Sequence, residues 1–162
     1  GEKVQYVVVE RAEQAEEAVL EYERERLGSM GCHAQASLVR RISQLNVSAG
    51  YDIESFDGNK PLFDYDRFIE VKSSYGSELR FYWSENERQV AEKKGDNYWI
   101  YFVGGPSSKK AKEITPILIR NPVERLGQVP DISIKVVTHF IEQIDEIDLK
   151  EFCQGKARGF LL

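Results

Sequence analysis

Apolar residues recur at helical spacing near the start of the chain. Over residues 11–27 the sequence is rich in Glu, Ala, Leu and Arg, and its apolar positions lie three or four residues apart. This spacing places them on one face of a helix, and Gly28 is a residue that commonly follows a helix end. We predict a helix over 11–27. Residues 3–10 alternate and are interpreted as a short strand or extended segment.

The middle of the chain changes to the patterns that are typical of strands. The turn signal Asp57-Gly58-Asn59 separates two of the predicted strands, which would form a hairpin with a long connection. The strand predicted at residues 98–103 is apolar on both alternating faces, as expected of a central strand covered on each side. The predicted strands are residues 50–56, 67–73, 78–83, 98–103, 114–119 and 132–137.

Two more helices follow from local signals. Ser84 and Glu87 have the S-x-x-E spacing of a capping box, so a helix is predicted over about 85–94, ending at Gly95. The acidic stretch 142–151 predicts a solvated helix at the end of the domain. Residues 28–48 fit either helix or strand and are left open.

An acid and a lysine share one face of the second predicted strand. Side chains alternate along a strand, so Glu70 and Lys72 point to one side. Asp52, on the preceding strand of the hairpin, would join them in a favourable register. Paired carboxylates form an oxygen-rich site for Mg²⁺, for which Mn²⁺ can substitute, and the ion activates water for phosphodiester hydrolysis. A neighbouring lysine would orient that water or stabilise the developing charge.

The (D/E)-x-K spacing is weak evidence by itself because it recurs elsewhere. It is also present at Glu92-Lys93-Lys94 and at Asp148-Leu149-Lys150. Both lie on predicted exposed helices, where runs of charge usually form only a solvated face. Only Glu70 and Lys72 lie on an apolar strand that follows another strand bearing an acid.

The order of these motifs resembles a known family. Gly50-Tyr51-Asp52-Ile53, then Ile69-Glu70-Val71-Lys72-Ser73, then Ser84-Glu85-Asn86-Glu87 before a helix and an aromatic strand look like the No Vein C-terminal-like family. That family belongs to the PD-(D/E)XK superfamily of restriction-endonuclease-like folds, and its members often occur as domains of large ATPases or defence proteins. The resemblance covers roughly residues 13 to 104. The superfamily's usual Pro before the first Asp is replaced by Tyr51.

The resemblance implies a fold and a set of site residues. The fold would be α/β, with an αβββαβ core, a mixed central sheet flanked by helices, and extra C-terminal strands and a helix. Asp52, Glu70 and Lys72 would occupy the catalytic positions, with Asp52, Glu70 and the Val71 carbonyl as metal ligands. The superfamily commonly adds a glutamate from the first helix, which we match to Glu17.

Several further residues have competing interpretations. Glu16 competes with Glu17, and either side chain is more simply an exposed helix glutamate. Glu87 would line the site from the second helix, although its capping-box spacing already explains it and capping is the simpler interpretation. Three lysines in a Gly/Ser-rich loop would contact phosphates or merely be solvated: Lys109, Lys110 and Lys112.

Composition limits the partners and the location. The formal charge of −5 disfavours tight, autonomous binding of nucleic acid, which Lys and Arg drive. Cys32 and Cys153 share no paired spacing, which favours free thiols in the cytoplasm, or in the nucleus of a eukaryote. We predict no membrane span, and a single domain over 1–162 excised from a longer protein, because the start lacks an initiator Met.

The leading hypothesis is a Mg²⁺-dependent endonuclease acting on double-stranded DNA. Other domains, other subunits or a second copy of the chain in a homodimer would then supply affinity and specificity for the nucleic acid. One alternative is a non-cleaving nucleic-acid-binding or assembly module that keeps the endonuclease fold. Another is an exonuclease or an RNase of the same fold.

Overall fold

The architecture is mixed α/β. The computed structural model describes residues 2–61, 63–73, 79–104, 115–126 and 132–136. The helices are α1 (Glu2–Ser29), α2 (His33–Leu38), α3 (Glu85–Lys94) and α4 (Pro122–Leu126), with a 3-10 turn at Gly95–Asn97. The strands are β1 (Arg40–Arg41), β2 (Ile53–Ser55), β3 (Arg67–Ser73), β4 (Leu79–Trp83), β5 (Tyr98–Val103), β6 (Ile117–Arg120) and β7 (Ile132–Val136).

Five strands form one sheet, in the order β1-β2-β3-β5-β6. The β2–β3 pair is antiparallel, as the predicted hairpin requires, whereas β3 and β5 are parallel. A parallel pair needs a long crossover, and α3 lies in the connection from β3 to β5. The mixed sheet with its flanking helices confirms the predicted fold class and is consistent with a restriction-endonuclease-like core.

The strand predicted at residues 78–83, third in the implied αβββαβ core, forms as β4 but does not join this sheet. Strand β4 pairs with β7 in a separate two-stranded sheet. Both edges of β3 are already occupied, by β2 on one side and β5 on the other. Strand β4 therefore has no free edge on β3 to which it could bond.

Helix α1 extends further than the sequence pattern predicts. The strand or extended segment predicted at 3–10 is wrong, because α1 begins at Glu2. Residues 2–11 contain neither Gly nor Pro, and each residue added to an existing helix gains a hydrogen bond, so continuity with 11–27 outweighs the local alternation. Although α1 has 28 residues, neither it nor any other described helix is apolar enough to cross a membrane. The helix predicted at 142–151 lies outside the described residues.

The two faces of β3 have different environments. Ile69 packs in the main core with Val19 and Leu27 of α1, and Val71 packs against the same cluster. Because side chains alternate, Glu70 and Lys72 point to the opposite face, towards α3. Strand β5 is apolar on both sides, as predicted, so it completes the core beside β3. The fold therefore separates an apolar face under α1 from a charged face under α3.

A buried glutamate connects α1 to the sheet. Glu23 is fully buried, and its carboxylate accepts hydrogen bonds from Tyr101 Oη and Ser55 Oγ, both at 2.6 Å. Arg26 bonds both oxygens of the same carboxylate, at 2.9 and 2.7 Å. Arg67 Nη1 lies 3.7 Å from it and donates to Tyr101 Oη at 2.8 Å. Two hydroxyls thus donate to this carboxylate, and two arginines place positive charge beside it.

Replacing Glu23 with alanine is expected to lower the free energy of unfolding by about 3–5 kcal/mol, because it removes the buried negative charge between Arg26 and Arg67 and leaves the Ser55 and Tyr101 hydroxyls without this acceptor. Chemical denaturation monitored by tryptophan fluorescence measures the loss. Glu25→Ala is the control, since Glu25 lies on the same helix and is exposed. Equal stability of the two variants would contradict the structural role of Glu23.

Candidate functional site

Asp52 is fixed against the middle of β3. Its amide donates to the Ile69 carbonyl at 2.8 Å, and its side-chain Oδ2 accepts a hydrogen bond from the Val71 amide at 2.8 Å. The preceding Gly50 has φ +78°, and a Cβ there would lie 2.6 Å from Val90 of α3. Gly50 is therefore needed both for its conformation and for the close approach of α3 to this turn. The register that the sequence hypothesis required between Asp52 and Glu70 is present.

Glu70 and Lys72 meet on the face of β3 that points to α3. Lys72 Nζ lies 3.3 Å from Glu70 Oε1 and 2.8 Å from Glu87 Oε2. All three side chains are largely buried, with side-chain exposures of 12% for Lys72, 10% for Glu70 and 19% for Glu87. The lysine is thus held between two carboxylates from two different elements.

Glu87 caps α3, as the sequence favoured, and it also lines the candidate site. Its backbone amide donates to Ser84 Oγ at 3.2 Å, and its Oε2 accepts from the Ser84 amide at 3.0 Å, which completes a capping box at the start of α3. The same Oε2 accepts the hydrogen bond from Lys72. Capping fixes the Glu87 side chain and thereby fixes the position of the lysine.

These acids open onto a cavity of about 210 Å³. Asp52, Glu70 and Glu87 lie along one part of its wall, and the connection between β1 and β2 forms another part. From that connection the lining residues are Ser43, Asn46 and Val47. A larger cavity of about 350 Å³ lies elsewhere, between the end of α1 and the β2–β3 connection. None of the predicted site residues lines it.

Burial and mutual repulsion make two of the carboxylates hard to ionise. Burial raises the pKa of Asp52 to about 6, against the opposing effect of the hydrogen bond from the Val71 amide. Burial, followed by the charge of Asp52, raises the pKa of Glu70 well above its usual range. Burial lowers the pKa of Lys72, but Glu70 and Glu87 outweigh this, so the net shift is upward. The lysine stays charged and does not neutralise the whole cluster.

Asp52 and Glu70 are therefore the pair that could hold a divalent cation. Asp52 uses Oδ2 for the Val71 amide, and no described residue donates a hydrogen bond to its Oδ1. Among the described residues, no three His, Cys, Asp or Glu side chains are grouped so as to hold a metal. An ion at this pair would have to complete its coordination with water or backbone oxygen, as Mg²⁺ usually does. A role for the Val71 carbonyl stays a prediction.

The first helix places Glu16, not Glu17, close to this pair. Glu16 Oε2 accepts hydrogen bonds from Arg41 at 2.6 Å and Ser43 at 2.9 Å, and its charge contributes to the raised pKa of Asp52. Glu17 has a side chain that is 49% exposed and lies 4.0 Å from Arg41. A signal for Glu16 was present in the sequence, because it precedes Val19 by three residues, the spacing of one helix face.

The remaining candidates lie away from the site or outside the described residues. Glu92, from the competing (D/E)-x-K match on α3, is exposed, as expected of a solvated face, but Lys94, the lysine of that match, is half-buried, with its Nζ 3.6 Å from the centre of the Phe68 ring. The second competing match, at 148–150, lies outside the described part of the chain. So do the three loop lysines that were predicted to contact phosphate: Lys109, Lys110 and Lys112.

Comparison with known proteins gives one match. A family model described as "Protein NO VEIN, C-terminal" matches residues 15–117, a span that includes the second half of α1, strands β1, β2, β3 and β5 of the five-stranded sheet, and the acidic cluster of Asp52, Glu70 and Glu87. No curated protein and no solved structure matches the chain. Because the family model covers more than half of the sequence, the chain belongs to the Protein NO VEIN C-terminal family.

Proposed function

We propose that this domain hydrolyses phosphodiester bonds in nucleic acid with Mg²⁺, as a member of the PD-(D/E)XK superfamily. The observation that supports this proposal is that Asp52 and Glu70 line one cavity and that Lys72 Nζ lies 3.3 Å from Glu70 Oε1. Their residue types match those that the chemistry needs, and Asp52, directly before β2, is hydrogen-bonded to β3, the strand that carries Glu70 and Lys72. DNA is the preferred substrate in this proposal, and Mn²⁺ can replace Mg²⁺.

Each residue has a separate role in this scheme. Asp52 and Glu70 hold the ion, which supplies activation of water and stabilisation of charge on the phosphate. Lys72 orients the attacking water and places a positive charge beside the phosphate as negative charge develops. Glu87 holds the Lys72 ammonium through its hydrogen bond. Because a buried carboxylate pair repels itself, binding of the cation would also relieve the repulsion between the carboxylates.

Because the chain has a net negative charge, we propose that other parts of the assembly supply most of the affinity for nucleic acid. With 27 acidic and 22 basic residues, the domain has little capacity to displace counterions from a polyanion. We therefore propose that flanking domains, other subunits or a second copy bring nucleic acid to the site. Contact between this domain and phosphate would then be local to the cavity.

The first test is cleavage of supercoiled plasmid by the purified chain with Mg²⁺ or Mn²⁺, and calorimetric titration of Mn²⁺ beside it. We expect metal-dependent nicking that EDTA abolishes, and one Mn²⁺ site that Asp52→Asn removes. A folded protein that neither binds Mn²⁺ nor nicks DNA would contradict the proposal.

A non-cleaving binding or assembly module is the competing function. The observation in its favour is the charge of −5, together with the ion pairs that already engage Lys72 on both sides. Metal binding separates the two functions. A site that has lost catalysis is not required to hold a divalent ion between Asp52 and Glu70, whereas an active one is.

Glu87→Gln is expected to lower the cleavage rate by about tenfold and to keep most of the stability of α3. Glutamine still offers an oxygen to the Ser84 amide, but it no longer provides a charge for Lys72. Ser84→Ala is the matched variant, since it removes the cap and leaves the Glu87 carboxylate, at a cost of about 1 kcal/mol in stability. Single-turnover cleavage and thermal unfolding measure the two effects. Equal loss of activity in both variants would mean that Glu87 acts only as a cap.

The affinity for Mn²⁺ is expected to rise as the pH increases from 5 to 7. Carboxylate ligands must be deprotonated to bind, and the pKa of Asp52 lies at about 6 because of burial. Each binding event should therefore release a proton at pH 5.5 and almost none from Asp52 at pH 8. Calorimetry in two buffers of different ionisation enthalpy measures this release. An affinity independent of pH over this range would contradict ligation by Asp52.

A further inference from the structure

Two apolar side chains beside the candidate site are almost entirely exposed. Among the large hydrophobic residues that the structure describes, Val47 at 96% and Leu45 at 79% have the highest exposures. Both lie in residues 43–49, between β1 and β2, which we call the rim loop. Single exposed apolar residues are common on protein surfaces, but two on one loop next to a cavity mark a contact surface.

Hydrogen bonds hold the rim loop in this conformation. The amides of Leu45 and Asn46 both donate to the Ile42 carbonyl at 2.8 Å. Asn46 Oδ1 accepts from the Ser48 amide at 3.2 Å and from Ser48 Oγ at 2.9 Å. These bonds turn the backbone tightly around residues 45–48. The two apolar side chains are therefore presented to solvent by a defined turn.

The rim loop is joined directly to the candidate site. The Ile42 and Ser43 amides donate to the Asp52 carbonyl at 2.7 and 3.3 Å. Val47 and Asn46 line the same cavity as Asp52 and Glu70. Val47 therefore forms part of the cavity wall on the side of the β1–β2 connection.

The rim loop also differs in charge from the rest of the chain. Residues 42–51 contain no Asp, Glu, Lys or Arg, although 30% of the whole chain is charged. A ligand at the loop would therefore meet apolar and amide groups, and not a charge of either sign. Phosphate groups find no cationic side chain on this loop, whereas the flat apolar faces of nucleobases are suited to its apolar side chains.

We propose that the rim loop packs Leu45 and Val47 against unstacked nucleobases next to the scissile phosphate, so that single-stranded or locally opened nucleic acid is the preferred substrate. This inference rests on the proposed function. Apolar side chains reach base faces only where bases are unstacked, and in duplex DNA unstacking costs a few kcal/mol per step. Strands that are already open avoid this cost and bind more tightly.

The test is the affinity of the full chain for a fluorescein-labelled single strand and for the same strand in a relaxed duplex, measured by anisotropy with Ca²⁺ in place of Mg²⁺. We expect the single strand to bind more tightly than the duplex. Leu45→Ser/Val47→Ser should weaken binding of the single strand about tenfold or more, because the variant loses both apolar contacts with the bases. Phe63→Ser is the control, because Phe63 is 61% exposed and lines the other cavity.

The same variants distinguish this inference from the proposed function. Mn²⁺ binding and plasmid nicking should remain measurable in Leu45→Ser/Val47→Ser, because it retains the acidic cluster. Equal affinity of the double variant and the wild type, tighter binding to duplex, or absence of any binding to the strand would each overturn the inference. So would a change from dimer to monomer on sedimentation of the double variant, which would assign the loop to a contact between copies. If the wild-type protein does not bind Mn²⁺, that result would instead contradict the proposed function.

Discussion

Replacing Lys72 with methionine is expected to lower the rate of DNA cleavage by about 10²- to 10³-fold and to leave Mn²⁺ binding in place. The magnitude is that of removing one preorganised positive or donor group from a developing negative charge. Methionine has nearly the length of lysine and packs in buried surroundings, so the change removes the ammonium with little effect on shape. Single-turnover cleavage at saturating Mg²⁺ measures the chemical step without the contribution of product release.

The matched control for this variant is Lys93→Met. It makes the same chemical change and the same change in net charge on an exposed position in the last turn of α3. Cleavage by Lys72→Met at the wild-type rate would show that the observed activity comes from another site or from a contaminant.

Lys72→Met should also make the metal-free protein less stable and its stability more dependent on the ion. The lysine offsets repulsion between Glu70 and Glu87, and both of these carboxylates lose their ammonium partner in the variant. A divalent ion replaces part of that lost positive charge. The shift in melting temperature on addition of Mn²⁺ is therefore expected to be larger for Lys72→Met than for the wild type.

Elements with a strong local signal could be predicted from the sequence. Strands β3 and β5 have the predicted bounds, and α3 begins at its capping box and ends before Gly95, as predicted. In each case the alternation of side chains or the cap chemistry is complete within a few neighbouring residues. The pairing of β2 with β3 followed for the same reason, because a hairpin joins strands that are adjacent in sequence.

Features that depend on distant contacts could not be predicted. Helix α2 has no side-chain cap and β1 has only two residues, so 28–48 carry no local pattern strong enough to identify them. The pairing of β4 with β7 depends on which edges of β3 are free, which is a property of the whole sheet. Glu87 shows the same limit within the site, since its bond to Lys72 spans 15 positions and leaves the capping pattern unchanged.

The buried carboxylates Asp52 and Glu70 lower the stability of the fold, and the proposed binding of a cation gives a reason for their presence. Buried carboxylates with raised pKa values favour the unfolded chain at neutral pH, where they can ionise in water. Strained or repulsive groups of this kind are common where a protein binds a ligand, because binding relieves the repulsion. The metal-free domain should therefore be less stable than its core would allow.

Asp52→Asn is expected to abolish metal-dependent cleavage and to raise the stability of the metal-free protein at neutral pH. Cleavage should fall by about 10³-fold, because the ion supplies several kcal/mol of stabilisation to the transition state. Asparagine still accepts the hydrogen bond from the Val71 amide through its side-chain oxygen, but it carries no buried charge. Asp64→Asn, at an exposed position, is the control for loss of one negative charge.

The sign of the stability change follows from the raised pKa of Asp52. Burial is the main reason why the pKa of Asp52 is about 6 in the folded protein, above the ordinary 3.8. The protonated carboxyl therefore favours the folded state, fully below about pH 4, and this stability is lost as the pH rises through 6. Wild type and Asp52→Asn should therefore be similarly stable near pH 4 in EDTA, and the variant should be more stable by on the order of 2 kcal/mol at pH 7.5. Denaturation curves at the two pH values measure the difference. If the variant is the less stable protein at pH 7.5, the Asp52 carboxylate stabilises the fold, and the argument that the cluster needs a cation fails with it.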